Sequence, residues 1–368
     1  MLSRRSIHSL TSAALILLSW GCAADVPDEP SSSGDVIGFD ATTDKAVDES
    51  PEGVTTTYNI KSFKVTATTR GPWSNIVLLD NAVVTRTGLN NWTYSPQIEW
   101  PATPVNFYMV SPVDVDWSVH TWDTGAMIWS YHNDGKTDLI TAANYEMRHQ
   151  SGPVRVNFRH ALSRVEAGLR TTIPDDYELH VRLAYIIGVG LKGHYVWPTS
   201  STQTQNAGDT GSPDVSGTWE VSGVISHARE VYVLEGTTGA EVSDFILESS
   251  DTYRPLDANR IQFMIPFELE ESRFDQSNWL GSNIVVVYNI RRRSDGAIIW
   301  PNENTPFEYY YHTDGSREWA VAPYALAEAT PEGRWLPGIN YSYRLTLNMP
   351  QVNSRGAEWD VECDTTEY

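Results

Sequence analysis

The sequence predicts an all-β protein built as two tandem β-sandwiches, and three observations carry that reading. Short runs alternate apolar and polar residues with a period of two. Asp-Gly pairs stand between such runs, and 20 Pro and 25 Gly punctuate the chain. Packed sheets bury one face of each strand, and many short alternating runs separated by turn residues satisfy that requirement. A length of 368 residues suits two domains of ~100–200 residues each.

In chain order, residues 1–22 read as an export signal. Arg4 and Arg5 form a basic start, and Leu10–Leu18 is an apolar stretch too short to span a ~30 Å hydrocarbon core as a helix. The signal closes on Leu18-Ser19-Trp20-Gly21-Cys22, which looks like a bacterial lipobox, although Trp20 is bulky and the aliphatic residue sits one place early. Cys22 is the lipidation candidate, and the lipid would be the sole membrane anchor. The alternative is an ordinary signal peptide with a chance cysteine. If Cys22 is lipidated, Cys363 is left as a lone thiol, with no internal disulfide.

Residues 23–57 read as a tether rich in Pro, Ser and acidic residues. The first sandwich is expected over 58–172, beginning with Phe63, Val65 and Ala67 in alternation with Lys64, Thr66 and Thr68. Val154–Arg170 fits both a helical stripe and a strand; a strand whose inward phase switches near Ser163, as a bulge would produce, is the preferred reading. The second sandwich is expected over 173–368. There Ile284–Tyr288 is a continuous apolar run, as in a strand buried on both faces. Tyr341, Tyr343, Leu345, Leu347 and Met349 form the cleanest period-2 run. Asp134-Gly135, Asp295-Gly296 and Asp314-Gly315 are expected hairpin turns. The Ser/Thr/Gly/Gln-rich tract 199–217 is either a loop of the second domain or, on a competing reading, the linker between domains.

Charge and composition exclude several functions. With 26 Lys+Arg against 47 Asp+Glu the net charge is −21; loss of Arg4 and Arg5 with the signal leaves −23. Neither nucleic acid nor an anionic membrane surface suits such a chain, because phosphates recruit basic patches. Two cysteines rule out a disulfide scaffold. No nucleophile elbow, P-loop, dinucleotide fingerprint or helical zinc motif occurs. Catalytic residues, metal ligands and cofactors are therefore assigned as none, and the reading is non-enzymatic. His160 reads as a hydrogen-bonded core residue, Asp114, Asp116 and Asp123 as solvated acids rather than a calcium loop, and Arg291–Arg293 as a solvated hairpin tip. Most tryptophans, Trp219 and Trp335 among them, are expected in cores, while Tyr309–Tyr311 are candidates for stacking on a sugar.

Several ordered motifs then point to a family. Val36-Ile37-Gly38-Phe39 follows the tether, then come Trp92-Thr93-Tyr94, Trp100-Pro101, Phe107–Pro112, Asp138-Leu139, Phe158–Val165, Phe263–Pro266 and Trp335–Tyr343. Over roughly Val36 to Asn348 the chain resembles a fimbrillin, a type V pilin-like lipoprotein of Bacteroidales. The resemblance implies two transthyretin-like (Greek-key) sandwiches, export as an outer-membrane lipoprotein and assembly into a surface fimbrium. It also implies cell adhesion, with other fimbrial subunits and a processing protease as partners. In such proteins a protease releases the first strand, and the next subunit fills the groove with its own strand. Carried over, the removable strand is Val36–Asp40, with Ile37 and Phe39 on its apolar phase. Its usual cut follows an arginine, yet the only basic residue between Phe39 and Tyr58 is Lys45, so the cut falls at Lys45-Ala46 or does not occur. An uncut chain would remain an anchor or accessory subunit. The tail alternates Trp359, Val361 and Cys363 with acids, which suits either a donor strand or an ordinary edge strand. The alternative function is a surface lipoprotein that binds glycan or a host protein without polymerising.

Overall fold

A computed structural model of the chain describes residues 32–43, 59–71, 75–88, 91–114, 118–122, 125–149, 152–198, 217–224, 232–236, 245–256, 262–276, 278–312, 315–349 and 359–368. It is nearly all β. The chain opens with β1 (Ser32–Val36), β2 (Phe39–Thr43), β3 (Ser62–Arg70), β4 (Asn75–Gly88), β5 (Asn91–Thr93) and β6 (Glu99–Pro101). Next are β7 (Val105–Ser111), β8 (Ser118–Trp122), β9 (Gly125–His132), β10 (Ile140–Met147) and β11 (Val154–His160). β12 (Ser163–Thr171), β13 (Tyr177–Ile187), β14 (Gly190–Val196), β15 (Thr218–Val224), β16 (Tyr232–Gly236), β17 (Phe245–Leu247), β18 (Arg254–Pro255) and β19 (Gln262–Met264) follow. The last are β20 (Arg273–Asp275), β21 (Asn278–Leu280), β22 (Asn283–Arg292), β23 (Ile298–Trp300), β24 (Ala320–Ala325), β25 (Ile339–Leu347) and β26 (Trp359–Glu367). Among the described residues no helix is long and apolar enough to cross a membrane.

The first core lies on one face of a seven-stranded sheet ordered β2-β11-β10-β7-β3-β4-β5. Alternation decides the faces: Phe107 and Met109 of β7 point into this core, and Tyr108 and Val110 point the other way. The second core is a sandwich. One wall is β18-β12-β25-β26 with β19, the other β16-β13-β22-β23 with β17 and β24. Val165, Ala167 and Leu169 of β12 and Tyr341, Tyr343, Leu345 and Leu347 of β25 face Ile284, Val286 and Tyr288 of β22 across it. The odd members of β22, Val285 and Val287, sit in a smaller cluster on the outer face with Trp319 and Val321. The apolar run of β22 is thus buried on both faces, as its composition predicts.

A fourth sheet, β15-β14-β9-β8, draws two strands from each half of the chain. It packs Ala126, Ile128, Tyr131 and Tyr195 over Tyr108, Val110, Ala143 and Tyr145 of the seven-stranded sheet. Asp134-Gly135 therefore does not close a hairpin: β9 pairs with β14, and β10 pairs with β7 and β11. The pair turns the chain from one sheet to another, with Asp134 Oδ1 accepting from the N–H groups of Lys136 and Thr137 at 2.8 Å. Asp295-Gly296 does close the β22–β23 hairpin, through Gly296 N–H to Arg292 O at 2.8 Å.

Val154–Thr171 is extended, not helical, and its inward phase switches from even to odd around Ser163. The switch is a crossing between sheets rather than a bulge within one strand: β11 ends the first core at His160, buried Ala161 and Leu162 pass through the junction, and β12 opens the second wall. The stretch Leu179–Leu191 divides at Gly188 into β13 and β14. His160 is buried, and its Nδ1 donates to Asp138 Oδ1 at 3.1 Å. Trp335 is also core, whereas Trp219 is half-buried against the junction and donates to Ala161 O at 2.6 Å. Of the arginine triplet, Arg292 pairs with Asp295 in solvent and Arg293 pairs with Glu178 of β13 at 2.9 Å.

Candidate functional site

The residues singled out near the N-terminus fall on two strands. Val36 ends β1, which pairs with β6 at the Ser32–Pro101 and Val36–Glu99 positions. Ile37 and Gly38 carry the chain across to β2, which runs parallel to β11 with Phe39 opposite Val154 and Thr43 opposite Phe158. The expected single strand 36–40 is therefore split, because the Ile37 N–H bonds Ile98 O at 2.9 Å while the Gly38 carbonyl accepts from Val154 N–H at 2.8 Å.

Period two places every second side chain of this segment inside. Ile37 is 0% exposed and Phe39 3%, with Ala41 and Thr43 also buried. The Phe39 ring meets Phe63, Tyr94 and Phe107 edge-on, with centroids 5.9, 5.5 and 5.7 Å away. The Tyr94 hydroxyl donates to Ile37 O at 2.9 Å and accepts from Ile98 N–H at 3.3 Å. Burial pushes the Tyr94 phenol above its ordinary range, against the lowering effect of the Ile98 bond.

Among the described residues β2 lies at the end of its sheet and pairs only with β11, over five register positions. β10 pairs with β11 only at Arg159 and His160. Without β2, Val154–Phe158 would keep no described strand neighbour, and a slot would open onto Phe63, Tyr94 and Phe107. That is an unpaired edge beside vacated apolar pockets.

Trp359, Val361 and Cys363 lie on β26, the edge strand beside β25, in antiparallel register from Leu347–Trp359 to Ile339–Glu367. All three are half-buried against the second core, and the intervening Asp360, Glu362 and Asp364 face solvent. Arg344 pairs with both Glu362 and Asp364. Tyr368, which follows, was not marked by the alternation. It is buried in the junction, its ring 4.6 Å from His160, its hydroxyl donating to Leu162 O at 2.8 Å. Cys22, Lys45 and Ala46 lie outside the described residues, as do Asp116 and Asp123. Among the described residues no group of three His, Cys, Asp or Glu is placed to hold a metal.

Burial pushes the Cys363 thiol up to about 11, with a hydrogen bond from Tyr343 opposing and the Asp364 charge adding to the rise. The thiolate is the reactive form. Iodoacetamide at pH 8 should therefore alkylate the folded chain about 100-fold more slowly than the unfolded chain, with an inflection near pH 11. Mass spectrometry of timed aliquots checks this. Equal rates would mean that β26 does not stay on β25.

A family model described as fimbrillin-like matches residues 44–260. The chain belongs to the fimbrillin-like family. Among solved structures it is similar to a fimbrial protein from Bacteroides vulgatus, at 14% identity and a TM-score of 0.53 over 90% of this chain and 99% of that one. It also matches a fimbrilin from Porphyromonas gingivalis at 10% identity and TM-score 0.44, covering 90% of this chain and 97% of that one. A third is the tip fimbrial protein Mfa3 of Porphyromonas gingivalis with C-terminal truncation, at 8% and 0.33, covering 84% and 94%. Among curated proteins nothing matches. At such identities the first structure supports the fold of this fimbrillin-like chain.

Tyr309–Tyr311, expected as exposed stacking residues, are not the exposed aromatics of their loop. Tyr309 stacks on Trp279 at 5.9 Å and meets Trp359 edge-on. Tyr310 is buried with its hydroxyl donating to Asn302 O at 2.5 Å, and Tyr311 packs on the outer cluster of the second sandwich. Exposure falls instead on Phe307.

Proposed function

We propose that this fimbrillin-like protein is a structural or accessory subunit of a cell-surface fimbrium, exported as an outer-membrane lipoprotein on Cys22 and assembled by strand exchange after trimming at Lys45-Ala46. Each domain is read as a transthyretin-like sandwich, with the seam moved from the expected 172 to the crossing at Ala161-Leu162, because β12 (Ser163–Thr171) lines the second core. The observation that carries this reading is β2. It is a five-residue strand with one described strand neighbour, its apolar side chains fill the first core, and its last residue, Thr43, lies two positions before Lys45. Loss of the segment through Lys45 removes Ile37 and Phe39 together. A neighbouring subunit replaces them with a strand of the same alternation, the β-augmentation mode of recognition. The candidate donor is the segment bearing Trp359, Val361 and Cys363.

The test is limited digestion of the mature chain with a lysine-specific protease, with the Lys45→Ala chain as control. Cutting is expected to convert monomer into a ladder of oligomers by size-exclusion chromatography and gel, and the control to stay monomeric. A trimmed protein that remains monomeric at high concentration overturns the polymerising role. The N-terminal residue of protein from cell surfaces reports the same step in the cell: Ala46 for a processed subunit, lipidated Cys22 for an uncut anchor.

A further inference from the structure

Part of the second domain is absorbed by neither the core nor the proposed exchange. Between β23 and β24 the chain forms a pocket of about 210 Å³ lined by Glu303, Thr305, Phe307, Tyr310, His312, Ser316 and Arg317. From this pocket we infer a binding site for a single neutral sugar ring of a surface glycan, a function that stands independently of trimming and strand exchange.

The aromatic wall comes first. Phe307 is 54% exposed, the one aromatic among the exposed large apolar side chains of the described residues. It is held in place, with His312 packed on it at 4.2 Å and Phe274 edge-on at 6.3 Å. The His312 Nε2 donates to Phe307 O at 2.9 Å, which fixes that nitrogen as the protonated one and leaves Nδ1 as an acceptor. Beneath, Tyr310 is buried and Trp279 Nε1 donates to Glu308 O at 2.9 Å, so both sides of the loop are tied to the fold. A wall fixed before binding loses little freedom when a ligand arrives.

The polar groups decide the class of ligand. Glu303 and Arg317 are both exposed, and among the described residues neither has an ion-pair partner; Arg317 lies over the Tyr310 ring at 5.5 Å. A free anion would meet the carboxylate of Glu303 and a free cation the guanidinium of Arg317, so the pair disfavours ligands of either net charge. A neutral polyol satisfies both, since its hydroxyls donate to Glu303 and accept from Arg317. The axial C–H face of a sugar ring suits an aromatic wall. The volume lies below the ~300–1,000 Å³ of drug-sized pockets, which favours one ring over an extended peptide.

The test uses the full mature chain carrying Lys45→Ala, so that a failure of strand exchange leaves the result unaffected. Methyl glycosides of galactose, mannose, fucose and N-acetylglucosamine serve as probes in titration calorimetry and saturation-transfer NMR, with N-acetylneuraminate and diglycine as anionic and zwitterionic arms. At least one neutral glycoside is expected to bind in the millimolar range. Phe307→Ala and Arg317→Ala are each expected to weaken it at least ~10-fold with the denaturation midpoint unchanged. Binding of none of the neutral probes, binding only of the anion or the dipeptide, or binding that survives both substitutions overturns the assignment.

Discussion

Truncating Phe39 to alanine is expected to cost about 3–5 kcal/mol of folding stability, the range for a fully enclosed Phe→Ala change. The ring is 3% exposed and wedged against Phe63 of β3, Phe107 of β7 and Tyr94, which follows β5 but is held by its hydroxyl's bonds to Ile37 O and Ile98 N–H. Edge-on aromatic pairs add about 0.5–1.5 kcal/mol each beyond area burial, so the upper half of the range is the expected outcome. Urea denaturation of the uncut chain measures it. Hydrogen exchange locates it: the Val154–Phe158 amides, which face β2, should lose protection before those of β22. The substitution also separates packing from processing. If the segment departs on trimming at Lys45, chains with and without Phe39→Ala become identical after the cut and should show the same stability. A loss under about 1 kcal/mol in the uncut chain would mean that Phe39 does not plug the first core.

What could be read from the sequence, and what could not, divides along a physical line. Strands whose environment is set by their own alternation were legible: β25 from Tyr341, Tyr343, Leu345 and Leu347, β22 from its unbroken apolar run, and the phase reversal near Ser163. Partner choice was not. Asp134-Gly135 carries the signal of a hairpin, but that signal reports a turn and not which strands meet across it; β9 pairs with β8 and β14, and β10 with β7 and β11, not with each other. The same limit hid the sheet β15-β14-β9-β8, since its centre is the pairing of β9 with the distant β14.

At the candidate site, Ile37 and Phe39 were legible as an apolar phase. The division into β1 and β2 was not, because a two-residue crossover keeps the period intact while changing the partner from β6 to β11. Tyr309–Tyr311 has no period to read. Trp279 and the outer-cluster residues Leu183, Tyr185 and Val285, remote in sequence, decide which tyrosine is covered. Phe307, lone and preceded by a proline, gave no signal that it would be the exposed ring.

Gly188→Ala is expected to be the most damaging single-methyl change, costing more than about 4 kcal/mol, and the reason is backbone rather than side chain. Gly188 has φ +67° where β13 bends into β14, and a Cβ there would lie 2.0 Å from the Gly281 carbonyl oxygen and 2.6 Å from Ser282 N. Backbone atoms cannot swing aside as a flexible side chain can. Gly281 cannot retreat either, because its own φ is +82° and a Cβ on it would lie 2.1 Å from Glu271 O. Ser282 locks the arrangement, its hydroxyl donating to Gly188 O at 2.6 Å and accepting from Glu270 N–H at 2.9 Å. Displacing this bend disturbs two sheets at once, since β13 pairs with β22 in the second sandwich and β14 pairs with β9 in the sheet shared by both halves. Gly296→Ala isolates the steric part. Its φ is +71°, but a Cβ there meets nothing within 4 Å, so only the left-handed penalty of about 1–2 kcal/mol applies. Urea midpoints of the two variants should therefore differ by a margin that reports the Gly188–Gly281 contact alone. Equal losses would show that the contact can relax and that the two halves are tied less rigidly through this bend than the packing of their backbones requires.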